Sequence, residues 1–91
     1  MNTHTFYSDP GHAWLKVPMK ELEALGIARK ISRYSYHNNG VAYLEEDQDA
    51  GVYLDAQKLT GNGEIKLEFK HTDEDSPIRG YDRFTEKEII L

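Results

Sequence analysis

The chain has 91 residues, with 16 acidic and 11 basic side chains, four histidines and no cysteine. This length allows one domain, 1–91, with one modest core. The formal net charge of −5 opposes general binding to a phosphate backbone, which needs clustered Lys and Arg. Without thiols there are no disulfides, thiolate nucleophiles, zinc–thiolate sites or iron–sulfur clusters. No apolar run approaches the roughly 20 residues that cross a bilayer. The opening residues lack the basic and apolar regions of a signal peptide, so the expected location is the cytoplasm.

In chain order, Thr5 to Tyr7 and Ala13 to Val17 read as strands around Ser8-Asp9-Pro10-Gly11-His12. Pro10 presets φ, Gly11 tolerates positive φ and Asp9 can accept from nearby backbone N–H groups, which together make a turn. Pro18 to Gly26 reads as a short helix, with proline suited to its first position and glycine to the residue past its end. Ile27 and Ile31 would anchor the connection that follows. Asn38-Asn39-Gly40 lies between two β-type runs, Ser32 to His37 and Val41 to Glu45. Asn-Gly in that setting is a strong hairpin signal.

Asp47 to Leu59 has helical spacing, with Asp47 as the expected N-cap. Thr60 to Gly63 ends it. Glu64 to Lys70 alternates, with Ile65, Leu67 and Phe69 on one face, as in a half-buried strand. Ile78 to Phe84 reads as a last extended segment. The ordered core is expected over about 5–84, with 85–91 as a tail.

The fold class that follows is α+β: a small, mostly antiparallel sheet of four to five strands with two short helices. The expected core is Phe6, Trp14, Leu15, Leu22, Leu25, Ile31, Tyr43, Leu44, Tyr53, Leu54, Ile65, Leu67 and Phe69. An unpaired strand at either sheet edge could form a dimer.

The candidate sites are charge clusters. Glu45, Glu46, Asp47 and Asp49 sit where a strand enters a helix, and acids are favoured beside exposed helix N–H groups. That start can use one cap and one or two charges. The surplus, with Asp73, Glu74 and Asp75, would meet a basic surface on a protein partner. Arg33, Tyr34 and Tyr36, with Arg79, Tyr81 and Arg83, interleave guanidinium groups and rings. Such mixtures stack single-stranded nucleic acid or form protein hot spots. Nucleic acid is the lesser reading, given the net charge. A third reading, a small metal-dependent enzyme, would use His71 and the adjacent acids. The acidic run lacks the ligand spacing of a calcium loop, no serine stands in a G-x-S-x-G setting, and Gly61-Asn62-Gly63 lacks the rest of a phosphate loop. No cofactor is expected.

Three segments carry a resemblance: Thr5 through Pro18; Leu25-Gly26-Ile27-Ala28 through Ser35-Tyr36, continued by Tyr43 through Asp49; and Ser76-Pro77-Ile78-Arg79-Gly80-Tyr81. Over residues 5 to about 84 the chain resembles a family of short hypothetical proteins from bacteriophages and other bacterial mobile elements. The family has no established activity, so the resemblance implies no catalytic residue. Gln48 stands where its pattern favours a small residue, and no role is carried to that side chain. What the resemblance implies is a phage or prophage origin, a bacterial cytoplasm, and an inhibitor or adaptor acting on a host protein.

Overall fold

The computed structural model describes residues 2–60 and 65–84. The expected turn at Gly61-Asn62-Gly63, the start of the alternating strand at Glu64 and the tail 85–91 lie outside them. The described elements are strands β1 (Asn2–Ser8) and β2 (Ala13–Pro18), helix α1 (Met19–Ala24), strands β3 (Tyr36–Asn38) and β4 (Val41–Glu45), helix α2 (Asp49–Thr60), and strands β5 (Ile65–His71) and β6 (Asp82–Arg83). Short 3₁₀ turns occupy Ala28–Lys30 and Pro77–Gly80. The strands form one sheet in the order β5-β1-β2-β4-β3-β6.

The α+β class holds, but the described sheet has six strands and is mixed. Four pairings are antiparallel, and β1–β5 is parallel. Two antiparallel steps, β1 to β2 and β2 to β4, leave β4 parallel to β1 and so to β5. Parallel strands need a crossover, and α2 is that crossover, leaving β4 and returning the chain to the far edge beyond β1.

Local chemistry explains the boundaries. At Asn39 and Gly40 φ is +52° and +77°, the doubly left-handed turn that matches strand twist in a two-residue hairpin. At the end of α1, Gly26 has φ +70°. Its N–H donates to Glu23 O, and the Ile27 N–H reaches back to Leu22 O, both at 3.0 Å. These bonds satisfy carbonyls that a helix end leaves open, and they bring Ile27 beside Leu22 in the core.

The sheet buries both faces. On one, Leu15, Val17, Ala42 and Leu44 meet Leu22 of α1 and Ala50 and Tyr53 of α2, with Ile27, Ala28, Ile31 and Phe84 closing the cluster. On the other, Trp14, Tyr36 and Ile78 pack with Tyr7, Tyr43 and Tyr81. Each fully buried large apolar side chain contributes on the order of 1.5–3 kcal/mol.

Several expectations are corrected. Ser32 to Ser35 is a turn, because Ser32 and Ser35 bind a side chain of α2 instead of a strand. Ile78 lies in a 3₁₀ turn opened by Ser76, whose Oγ accepts from the Ile78 N–H at 3.2 Å. Phe69 is 75% exposed: β5 is an edge strand, and α2 does not cover its last residues. Phe6, Leu25, Tyr43, Leu54, Ile65 and Leu67 are only partly buried. Val17, Ala42, Ala50, Ile78 and Phe84 are core residues absent from the expected list.

Candidate functional site

The register brings many chain turns to one end of the sheet. Ser8 pairs with Ala13 and His71, Trp14 with Glu45, and Tyr36 with Arg83. The β1–β2 turn, the 32–35 turn, the β4–α2 junction and the loop after β5 therefore all emerge at that end. Both acidic clusters and the Arg–Tyr segments share it.

At its centre is an open pocket of about 510 Å³. Trp14 of β2 and Tyr36 of β3 are its buried aromatic walls, and Tyr34, 68% exposed, stands at its rim. Arg79 lies over the Trp14 ring at 5.4 Å, and Arg83 over the Tyr36 ring at 4.8 Å. Glu45, Asp47 and Gln48 line it from the β4–α2 junction, and His12 from the β1–β2 turn.

Asp9 holds this arrangement together. Its buried carboxylate takes two bonds from Arg79, Nε at 2.6 Å and Nη2 at 2.9 Å. The backbone N–H groups of Gly11, His12 and Ser76 also donate to it, each at 3.0 Å. The guanidinium, assisted by those three N–H groups, holds the Asp9 carboxyl well below the usual carboxylate range, and Asp9 in turn raises Arg79. Gly11 belongs to the same arrangement: a Cβ there would lie 2.9 Å from Arg79 Nη2, so any side chain displaces the guanidinium.

The acidic run divides by role. Glu45 is spent on the start of α2: its Oε1 accepts from the N–H groups of Gln48 (2.6 Å) and Asp49 (2.9 Å), and its Oε2 from Asp47 (2.9 Å). Glu45, not Asp47, therefore caps the helix, because β4 ends with its longer side chain beside the exposed N–H groups. Asp49 is fully buried and does not belong to any exposed surface. Its Oδ2 accepts from the Ser32 N–H (3.0 Å), the Ser32 hydroxyl (2.7 Å) and the Ser35 hydroxyl. Its Oδ1 is buried with no hydrogen-bond partner among the described residues. Ser35 Oγ accepts in turn from the Glu45 N–H at 2.9 Å. Glu46, Asp47, Asp73, Glu74 and Asp75 remain exposed. Glu46 lies 4.0 Å from His12, and the charge of Asp75 acts on Arg79.

The Arg–Tyr candidates also divide. Tyr34, Tyr36, Arg79 and Arg83 line the pocket. Arg33 does not; its carbonyl accepts from Arg83 Nη1 at 3.3 Å. Tyr81 packs on Tyr43 with ring centroids 5.1 Å apart. His71, the metal-enzyme candidate, sits between Ser8 Oγ (2.8 Å) and Asp73 Oδ1 (3.2 Å). This chain resembles a nucleophile–base–acid relay in order only: Asp73 is 97% exposed, whereas a carboxylate that orients a catalytic imidazole is buried. Among the described residues no group of three or more histidine, aspartate or glutamate side chains is arranged to hold a metal ion, and no helix is long and apolar enough to cross a membrane.

A second polar network lies inside the helix face. The Tyr53 hydroxyl donates to Glu21 Oε1, accepts from Gln57 Nε2 and sits beside His4 Nε2, each at 2.8 Å. With the hydroxyl proton committed to Glu21, His4 Nε2 is the donor. Burial, with the Glu21 charge adding to it, pushes the Tyr53 phenol above its ordinary value. Sequence reading missed this network and the Asp9–Arg79 pair because, Tyr53–Gln57 apart, their bonded members lie 32 to 70 residues apart. The one local signal was the buried spacing Asp49, Tyr53, Gln57, a polar stripe at i, i+4 and i+8 on α2. Comparisons with protein-family models, curated proteins and solved structures give no match.

Proposed function

We propose that this protein is a non-enzymatic recognition module, and that the end of the sheet carrying the pocket receives a basic segment of a partner protein. The observation that carries this reading is the juxtaposition of five exposed acids, Glu46, Asp47, Asp73, Glu74 and Asp75, with the Trp14–Tyr34–Tyr36 pocket at one end of the sheet. Tyrosine, tryptophan and arginine are the residues most enriched in interface hot spots, and the acids would steer a basic partner toward them. The pocket is already braced by Asp9–Arg79, so binding need not order it first. The resemblance to phage-encoded proteins accords with an inhibitor or adaptor acting on a host protein.

The pocket suits nucleic acid less well. Arg79 is already neutralised by Asp9, and the carboxylates of Glu45 and Asp47 stand where a phosphate would have to approach. Arg83 is left as the pocket cation without a carboxylate partner among the described residues.

Trp14 is the only tryptophan and reports on the pocket directly. Titration with a Lys/Arg-rich peptide at ~50 mM salt is expected to change its fluorescence, and roughly 0.5 M salt to abolish the response by screening. A Glu-rich peptide and a single-stranded oligonucleotide are expected to leave it unchanged. A response to the oligonucleotide alone would replace this reading with the nucleic-acid one. An undiminished response in the E46K/D47K variant would remove the acids from it.

A further inference from the structure

We propose that the outer edge of β5 pairs antiparallel with β5 of a second copy, with Leu67 opposite Leu67. Among the described residues β5 pairs only with β1, and it is the last strand on its side of the sheet. Its seven residues, Ile65–His71, therefore present a row of backbone N–H and C=O groups that a further strand can satisfy. The sequence of that edge is what selects the partner. Residues directly opposite in an antiparallel pair share a face and interact, and two copies related by a two-fold axis meet in only a few registers.

Centred on Glu68, the pairing sets Lys66 against Lys70 twice and Glu68 against Glu68. Centred on Leu67, it sets Lys66 against Glu68 twice, Leu67 against Leu67, and Ile65 against Phe69. The second arrangement is electrostatically self-complementary. It also lays an aliphatic side chain over Phe69, which is 75% exposed although it stacks on Phe6 with centroids 5.9 Å apart and planes at 5°. An edge strand that carries an exposed ring and sets Lys66 and Glu68 on either side of Leu67 is matched to itself in the Leu67-centred register, whereas a uniformly basic edge would repel every copy.

Sedimentation equilibrium of the full chain from ~1 μM to ~1 mM tests the pairing, with circular dichroism confirming that each variant keeps its fold. The wild-type chain is expected to show a reversible monomer–dimer equilibrium. Glu68→Lys, which opposes lysine to lysine, and Lys66→Glu, which opposes glutamate to glutamate, are each expected to weaken it about tenfold. The double swap K66E/E68K re-forms both opposite-charge pairs and is expected to restore the wild-type constant. A chain that stays monomeric throughout overturns the proposal. So does a single reversal without effect, or a double swap no better than the single reversals. Each single variant tests the pairing alone if the other does not fold.

Discussion

Asp9 shows how much one side chain can organise. It closes the β1–β2 turn through the Gly11 and His12 N–H groups, fixes the loop before the 77–80 turn through Ser76, and holds Arg79 against Trp14. Replacing it by alanine leaves the guanidinium and three donors without their acceptor, which costs more than the loss of one neutral hydrogen bond. We expect Asp9→Ala to lower the thermal midpoint by roughly 5 °C or more and to change Trp14 fluorescence in the folded protein; an unaltered emission spectrum would show that Arg79 is held by other contacts. Half of this role was legible, because Asp-Pro-Gly announces a turn in which Asp9 binds its own backbone. The other half was not, because nothing near Asp9 in sequence names a partner 70 residues away.

Helix α2 is docked through polar contacts more than its place in the core suggests. Its inward stripe is Asp49, Tyr53 and Gln57: the first binds the 32–35 turn, the second reaches β1 and α1, and the third bonds the second. Its first turn depends on Glu45, which satisfies the N–H groups of Asp47, Gln48 and Asp49. Glu45→Ala is expected to cost about 0.5–2 kcal/mol, as loss of a helix cap does, or roughly 4–8 °C in the midpoint per kcal/mol. Glu45→Gln is expected to recover part of it, because the amide oxygen can still accept; equal losses for both variants would point away from capping. Helical spacing located α2 and alternation located β5. What spacing cannot report is which side of the sheet a strand joins, and so the parallel pairing with β1 was invisible. The hairpin at Asn39-Gly40 was legible because its geometry is local to two residues.

At the scale of the whole molecule the titrating groups define a pH window. The folded state holds Asp9 ionised far below the usual carboxylate range, so between that region and about pH 4 the unfolded chain binds more protons than the folded one. Stability from this group is complete above pH ~4 and falls as the pH drops through the window. Tyr43 and Tyr53 are shifted the other way, chiefly by burial. Their folded forms keep the phenol proton longer, so their contribution is complete below pH ~10 and is lost as the pH rises beyond it. Denaturant midpoints across pH should therefore plateau and decline at both ends, with Tyr53→Phe blunting the alkaline decline and leaving the acid one intact. A profile whose alkaline limb is unchanged in that variant would place the loss elsewhere. The pocket itself was legible as ingredients only: the sequence shows Arg–Tyr segments and acidic runs, while their meeting depends on the strand order.

That order has a consequence in time as well as in space. β1 pairs with β2 across a turn of four residues, but its other side waits for β5, whose His71 lies 63 positions beyond Ser8. Distant pairings are slow to close, and during synthesis the chain must be made almost to the end of β5 before β1 can receive its second neighbour. A nascent chain halted before Ile65 would display β1, with Phe6 on it, as a bare edge, so a strand made before every other described one is among the last to be covered.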